Sequence, residues 1–266
     1  MRVTIVWALA AAIALAAGLA PRFTEPQAYH QFVDQRTILG IPNFSDVVSN
    51  LAFVVVGLMG LHFVLRGTRA DGRNAFLDSS ERWGWGVAFA AVALTSCGSG
   101  YYHWAPDSAR LAWDRLPMTV AFMSIVAAIV SERISAKAGI RLLVPLILIG
   151  AASVWYSRWT AAQGAENLNP YGAVQFGSIL VILAVITLFP PRYSRTGDVL
   201  GAAILYALAK VAEHFDGAIF LATGGIISGH TLKHLLAAAA AYWLLRMLML
   251  REPMSGESPS RKAQLL

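Results

Sequence analysis

The sequence predicts an all-α membrane protein, a bundle of seven transmembrane helices with one extra N-terminal transmembrane helix. Three observations predict it. Of 266 residues, 57% are hydrophobic and only 14% charged, with a mean hydropathy of +0.57. A soluble domain carries about a quarter charged residues. Apolar runs recur at 3–20, 46–65, 84–104, 112–131, 140–157, 171–190, 197–221 and 229–250, each near the roughly 20 residues that cross a bilayer core. Polar, Pro- or Gly-bearing breaks such as 66–82, 131–139 and 190–197 separate them. Backbone amides in hydrocarbon must be satisfied within their own segment, so these runs are expected to be helices.

Residues 1–22 form the first unit. Arg2 and an alanine-rich run ending Gly18, Leu19 and Ala20 resemble a signal peptide, but the apolar stretch is long for a signal core and reads as an uncleaved helix. Residues 30–250 hold the other seven spans. The polar tail, 251–266, is expected to be disordered and cytoplasmic. Cys97, the single cysteine, excludes an internal disulfide, and its apolar flanks predict an inert buried thiol. The aromatic-rich pieces 83–85, 101–104 and 155–159 read as interfacial belts.

Charge placement gives orientation. Of 21 lysines and arginines, fourteen fall in alternate connections beginning at the N-terminus, four in the other set, and Arg115, Lys210 and Lys233 lie within spans. By the positive-inside rule the C-terminus is cytoplasmic. The net charge of +6 therefore reflects membrane topology rather than a nucleic-acid partner. The features suit a bacterial inner membrane.

That topology brings chemistry together. His230 and His234 are one helical turn apart at the start of the last span and share a face. His103 closes the third span with Ser99 one turn before it, and Asp114 opens the fourth. All five are expected at one depth near the extracytoplasmic side. Three neutral imidazoles suit zinc and leave a fourth tetrahedral position for water, whose pKa zinc can lower towards about 7. Asp114 could exchange protons with that water. Ser99 could donate to a developing oxyanion or position Asp114 or the water; the sequence leaves these open.

Taken singly the parts are weak. A His-x3-His pair arises readily by chance, Ser99 alone would be a packing residue, Asp114 beside Arg115 could be a simple ion pair, and His30 reads as an interfacial hydrogen-bonder. Their joint placement carries the reading, because ionisable groups within spans are costly and tend to mark function or pairing. Lys210 and Glu213, three apart, are expected to neutralise each other, with Asp216 close behind. Lys233, about 100° around the helix from His234, is expected to face a neighbouring helix or the interface. His214 is left out of the site.

The combination of Ser99, His103, Asp114, His230 and His234 resembles the alkaline ceramidase family, within a superfamily of seven-helix membrane hydrolases that includes adiponectin-type receptors. Segments 42–50 and 228–234 are also similar to that family, over about residues 30–250. The resemblance implies zinc held by His103, His230 and His234, with Ser99 and Asp114 catalytic. It implies hydrolysis of a ceramide-type membrane lipid to a long-chain base and a fatty acid. Some members hold calcium on acidic residues before the first shared helix. Here that stretch offers only Asp34, with Asp46 and Asn43 nearby. Calcium prefers several carboxylates, so calcium-independent activity is expected.

Other classes make different demands. A non-enzymatic lipid-binding receptor of the adiponectin-receptor type would keep the metal scaffold without turnover. A retinal protein would need a Schiff base on Lys210 or Lys233 with Asp114 as counter-ion. A haem protein would use two histidines from separate helices. An ion carrier would use Lys210, Glu213 and Asp216, but no discontinuous-helix pattern supports it.

Overall fold

The computed structural model describes residues 1–254. It is helical throughout, with no β-strand among the described residues. The helices are α1 (Arg2–Leu19), α2 (Phe44–Ser49), α3 (Leu51–Arg66), α4 (Glu81–Trp104), α5 (Ser108–Arg133), α6 (Ala136–Ala162), α7 (Asn169–Gly172), α8 (Ser178–Leu188), α9 (Gly197–His214), α10 (Asp216–Ala222) and α11 (Gly229–Leu250). A π-helical turn, Ala173–Gly177, joins α7 to α8.

Six helical segments are long and apolar enough to cross a membrane: α1, α2–α3 taken together, α5, α6, α7–α8 and α11. This is the composition of an integral membrane protein. The eight-span expectation is met only in part, since α4 and α9 fall outside this set. The expected span 197–221 is also interrupted at Phe215, where α9 gives way to α10. The physical reason is polarity. Helix α9 carries Asp198, Lys210 and Glu213, and α4 carries Thr95, Ser96, Ser99 and His103.

Helix α4 packs along α3 and α5, α5 along α6, and α11 along α9 and α3. Trp85, Phe89, Ile129, Leu245 and Leu248 form the centre of the apolar core. Helix α1 buries none of its residues and lies at the periphery against α7 and α8. Close approach is needed at Gly98, where an added Cβ would stand 2.1 Å from the Trp113 carbonyl oxygen. Glycine there lets α4 touch α5 beside Ser99 and Asp114.

Three local readings are corrected. Cys97 is exposed on the outer face of α4, not buried. Trp85 and Tyr102 are buried, whereas Trp83, Tyr101 and Trp104 face outward. On a helix, residues two apart point about 200° apart, so Trp83 and Trp85 cannot serve one belt. The tail begins in order: residues 252–254 bond in register with 192–194, through Ser194 N–H to the Glu252 carbonyl (2.8 Å) and Met254 N–H to the Arg192 carbonyl (2.9 Å). The rest of the tail, 255–266, lies outside the described residues.

Arg251 anchors that turn. It is buried, pairs with buried Glu132 at 2.6 Å and stacks 3.8 Å from the Tyr193 ring centroid. Glu132 also accepts from the Trp85 indole at 2.6 Å. Removing one partner of such a pair strands a buried charge, which costs about 3–5 kcal/mol. Arg251→Ala is therefore expected to lower stability by about that amount, read as a fall in the melting temperature of the detergent-solubilised protein. Arg251→Lys should recover only part of it, since lysine has no planar face for Tyr193.

Candidate metal centre

The first turns of α11 place two of the histidines. Ser228 caps this helix, accepting the Thr231 N–H at 2.9 Å. Asp216, opening α10, accepts the His230 N–H at 2.8 Å, and Asp46 in α2 accepts the Thr231 hydroxyl at 2.6 Å. Two acidic side chains thus satisfy the donor-rich helix start and fix its rotation. Gly229 makes this possible, because a Cβ there would meet the Ala212 carbonyl oxygen at 2.1 Å. The third histidine ends α4. Its carbonyl accepts the Asn43 amide at 2.9 Å, donated from a residue in the left-handed conformation (φ 45°), which asparagine tolerates.

The three imidazoles converge. His103, His230 and His234 are all buried, with ring centroids 4.7–5.0 Å apart. One nitrogen from each lies within 4.8 Å of the others, so the cluster could hold a metal ion. The Nε2 atoms of His103 and His230 are 3.3 Å apart. Two nitrogens on a tetrahedral zinc, each about 2.0–2.1 Å from it, stand about 3.3 Å apart. The buried His234 Nε2 has no hydrogen-bond partner. Unpartnered buried nitrogens are costly unless something binds them.

Ser49, at the end of α2, prepares His234. Its hydroxyl donates to the Asp46 carbonyl at 3.1 Å and lies 2.8 Å from His234 Nδ1. With its one proton committed, Ser49 accepts from Nδ1–H, which turns the Nε2 lone pair towards the cluster. Loss of such an outer partner typically lowers metal affinity about 10–100-fold. Ser49→Ala is expected to weaken metal binding at the cluster by about that factor, measured by competition with a chromophoric chelator. Phe32 covers the cluster, its ring centroid 4.6 Å from that of His103 and 4.8 Å from that of His230.

Ser99 and Asp114 are brought to the same place. Ser99 and Asp114 line one cavity with His234. That cavity has a volume of about 470 Å³, within the usual range for a small-molecule site. Apart from its polar head it is walled by apolar side chains. Along α11 it runs from His234 to Leu244, a rise of about 15 Å. Arg115 does not pair with Asp114; it ion-pairs with Glu25 and stacks on Tyr171 at 4.8 Å.

The remaining polar groups have structural partners. Lys210 pairs with Glu213 as expected, and Lys233 reaches Glu213 as well, at 3.0 Å. Of the two expected directions, a neighbouring helix or the interface, Lys233 takes the first and faces α9, and its Nζ also lies 2.8 Å from His230 Nε2, a contact its angular position does not reveal. His30 bonds Tyr102 (2.9 Å) and Ser108 (3.1 Å). Of the calcium candidates, Asp34 forms a two-point pair with Arg36 (2.7 and 2.6 Å), whose guanidinium holds the carboxyl below the usual carboxylate range. Asp46 is engaged at the start of α11, and Asn43 at the end of α4.

Ser49 and Phe32 also escaped the sequence reading. Ser49 lies in segment 42–50, but nothing in that segment assigns it to His234, 185 residues away. No family model matches the chain, and no curated protein matches it.

Proposed function

We propose that the protein is a zinc-dependent intramembrane amide hydrolase of the alkaline ceramidase type, cleaving ceramide-like sphingolipids to a long-chain base and a fatty acid. The observation that carries this reading is a cluster of three buried histidines, one of which, His234, lines the head of a long apolar cavity together with Asp114 and Ser99. In the proposed arrangement α4 and α9–α10 also span the bilayer, giving seven helices plus α1, with the site towards the extracytoplasmic face.

The cavity's apolar length would take a lipid chain and leave the amide at its polar head. Zinc held by His103, His230 and His234 would supply an activated water at neutral pH. Asp114 would take a proton from that water and return it to the leaving nitrogen, a role that needs a carboxylate facing the cavity. Ser99 would donate to Asp114 and hold the carboxylate in place. Phe32 would keep bulk water from the cluster.

Incubating the purified protein with a ceramide panel and following free fatty acid by mass spectrometry tests the proposal. Time-dependent release of fatty acid and base in equal amounts is expected. Bound zinc and bound lipid without release would instead fit a receptor of the adiponectin-receptor type.

A further inference from the structure

Amide hydrolysis builds negative charge on the carbonyl oxygen, so the site needs a donor aimed at that charge. Lys233 is placed to supply one. Its Nζ lies 3.0 Å from Glu213 Oε1 and 2.8 Å from His230 Nε2, and the residue lines the cavity with Ser99, Asp114 and His234.

Donor and charge accounting sharpen this. An ammonium has three N–H donors. Glu213 takes one, and a His230 Nε2 turned to a cation could take none. Glu213 also accepts from Lys210 and from the Tyr29 hydroxyl (3.1 Å), so one carboxylate is shared by two ammonium groups. With Asp114 the chamber holds two carboxylates for two ammonium groups, and the Lys233 ammonium is fixed beside the histidine cluster, in a buried, largely apolar chamber where such charges act strongly.

We propose that Lys233, held by Glu213, is a catalytic residue that stabilises the oxyanion during cleavage. This rests on the hydrolase reading above. Water oxygen bonds to the amide carbon, one water proton passes to Asp114, and the carbonyl electron pair moves onto the oxygen facing Lys233. When the C=O bond re-forms the C–N bond breaks, and the nitrogen takes the proton from Asp114. A carboxylic acid and an amine result, with atoms and charge balanced.

The test uses dodecylphosphonate, a tetrahedral anion on a single lipid chain, titrated calorimetrically into zinc-loaded protein in lipid nanodiscs. A non-hydrolysable neutral ceramide analogue serves as control. Lys233→Met is expected to weaken phosphonate binding and lower kcat, each about 100-fold, with neutral-lipid affinity, KM and zinc content unchanged. Lys233→Arg, which keeps the charge, should stay within about tenfold of wild type in phosphonate affinity.

Phosphonate affinity unchanged in Lys233→Met, or neutral lipid and zinc lost together in both variants, would overturn the role. The two readings separate cleanly. Wild-type protein that binds phosphonate through Lys233 but releases no fatty acid would retain the anion site and refute the hydrolase. Turnover indifferent to Lys233→Met would do the reverse.

Discussion

Asp114→Asn is expected to lower kcat by about 10²–10⁴-fold, the usual range for a positioned general acid–base, while zinc content and melting temperature stay near wild type. Asparagine preserves the shape of the side chain, so the junction of α4 and α5 at Gly98 is undisturbed. What it loses is the capacity to take a proton and give it back. Ser99→Ala should do less, since it removes only the donor that orients the carboxylate, and the double variant should be little worse than Asp114→Asn alone. A large independent loss from Ser99→Ala would instead assign the serine a direct contact with substrate. Steady-state kinetics on a fluorescent ceramide, paired with metal analysis, reads all of these.

Replacing any one of His103, His230 or His234 with alanine is expected to remove both metal and turnover. Each supplies one of the three convergent nitrogens, and two imidazoles make a poor zinc site. The loss should also be structural. A ligand at 1,000 times its Kd stabilises a fold by about 4 kcal/mol, so the melting temperature should fall in the variants and in chelator-treated wild type alike. The three replacements should not be equivalent in detail. Without His234, Ser49 loses its partner on α11. Without His103, the Phe32 ring loses one of the two imidazoles it packs against. Chelation that leaves the melting temperature of wild type unmoved would argue that the cluster is held by packing alone.

The features that repeat along a helix were legible in the chain; those that depend on distant segments were not. His230 and His234 declare themselves by a four-residue spacing, and the antiparallel order of spans is enough to carry His103 and Asp114 to the same end. Lys210 and Glu213 are likewise neighbours on one helix. Ser49 and Phe32 act on the histidines from segments that no periodicity connects to them. Angular position turns Lys233 to a neighbouring helix or the interface without saying which, and its reach to Glu213 on α9 and to His230 depends on rotamers that angular position does not fix. The burial of Trp85 and Tyr102 was within reach of the helical period, because each sits beside an outward-facing aromatic that cannot share its direction. The exposure of Cys97 follows similarly, since Ser99, two residues on, points inward. The break at Phe215 falls in the stretch His214, Phe215, Asp216 and Gly217, all weak helix formers, a local signal that the overall hydropathy of the run hides.

Zinc-edge X-ray absorption on the purified protein tests the central claim most directly. One zinc per chain, bound by three imidazole nitrogens at about 2.0–2.1 Å with an oxygen as fourth ligand, is the predicted result. Protein that releases fatty acid from ceramide yet carries no stoichiometric metal, or metal bound by no more than one imidazole, would contradict it.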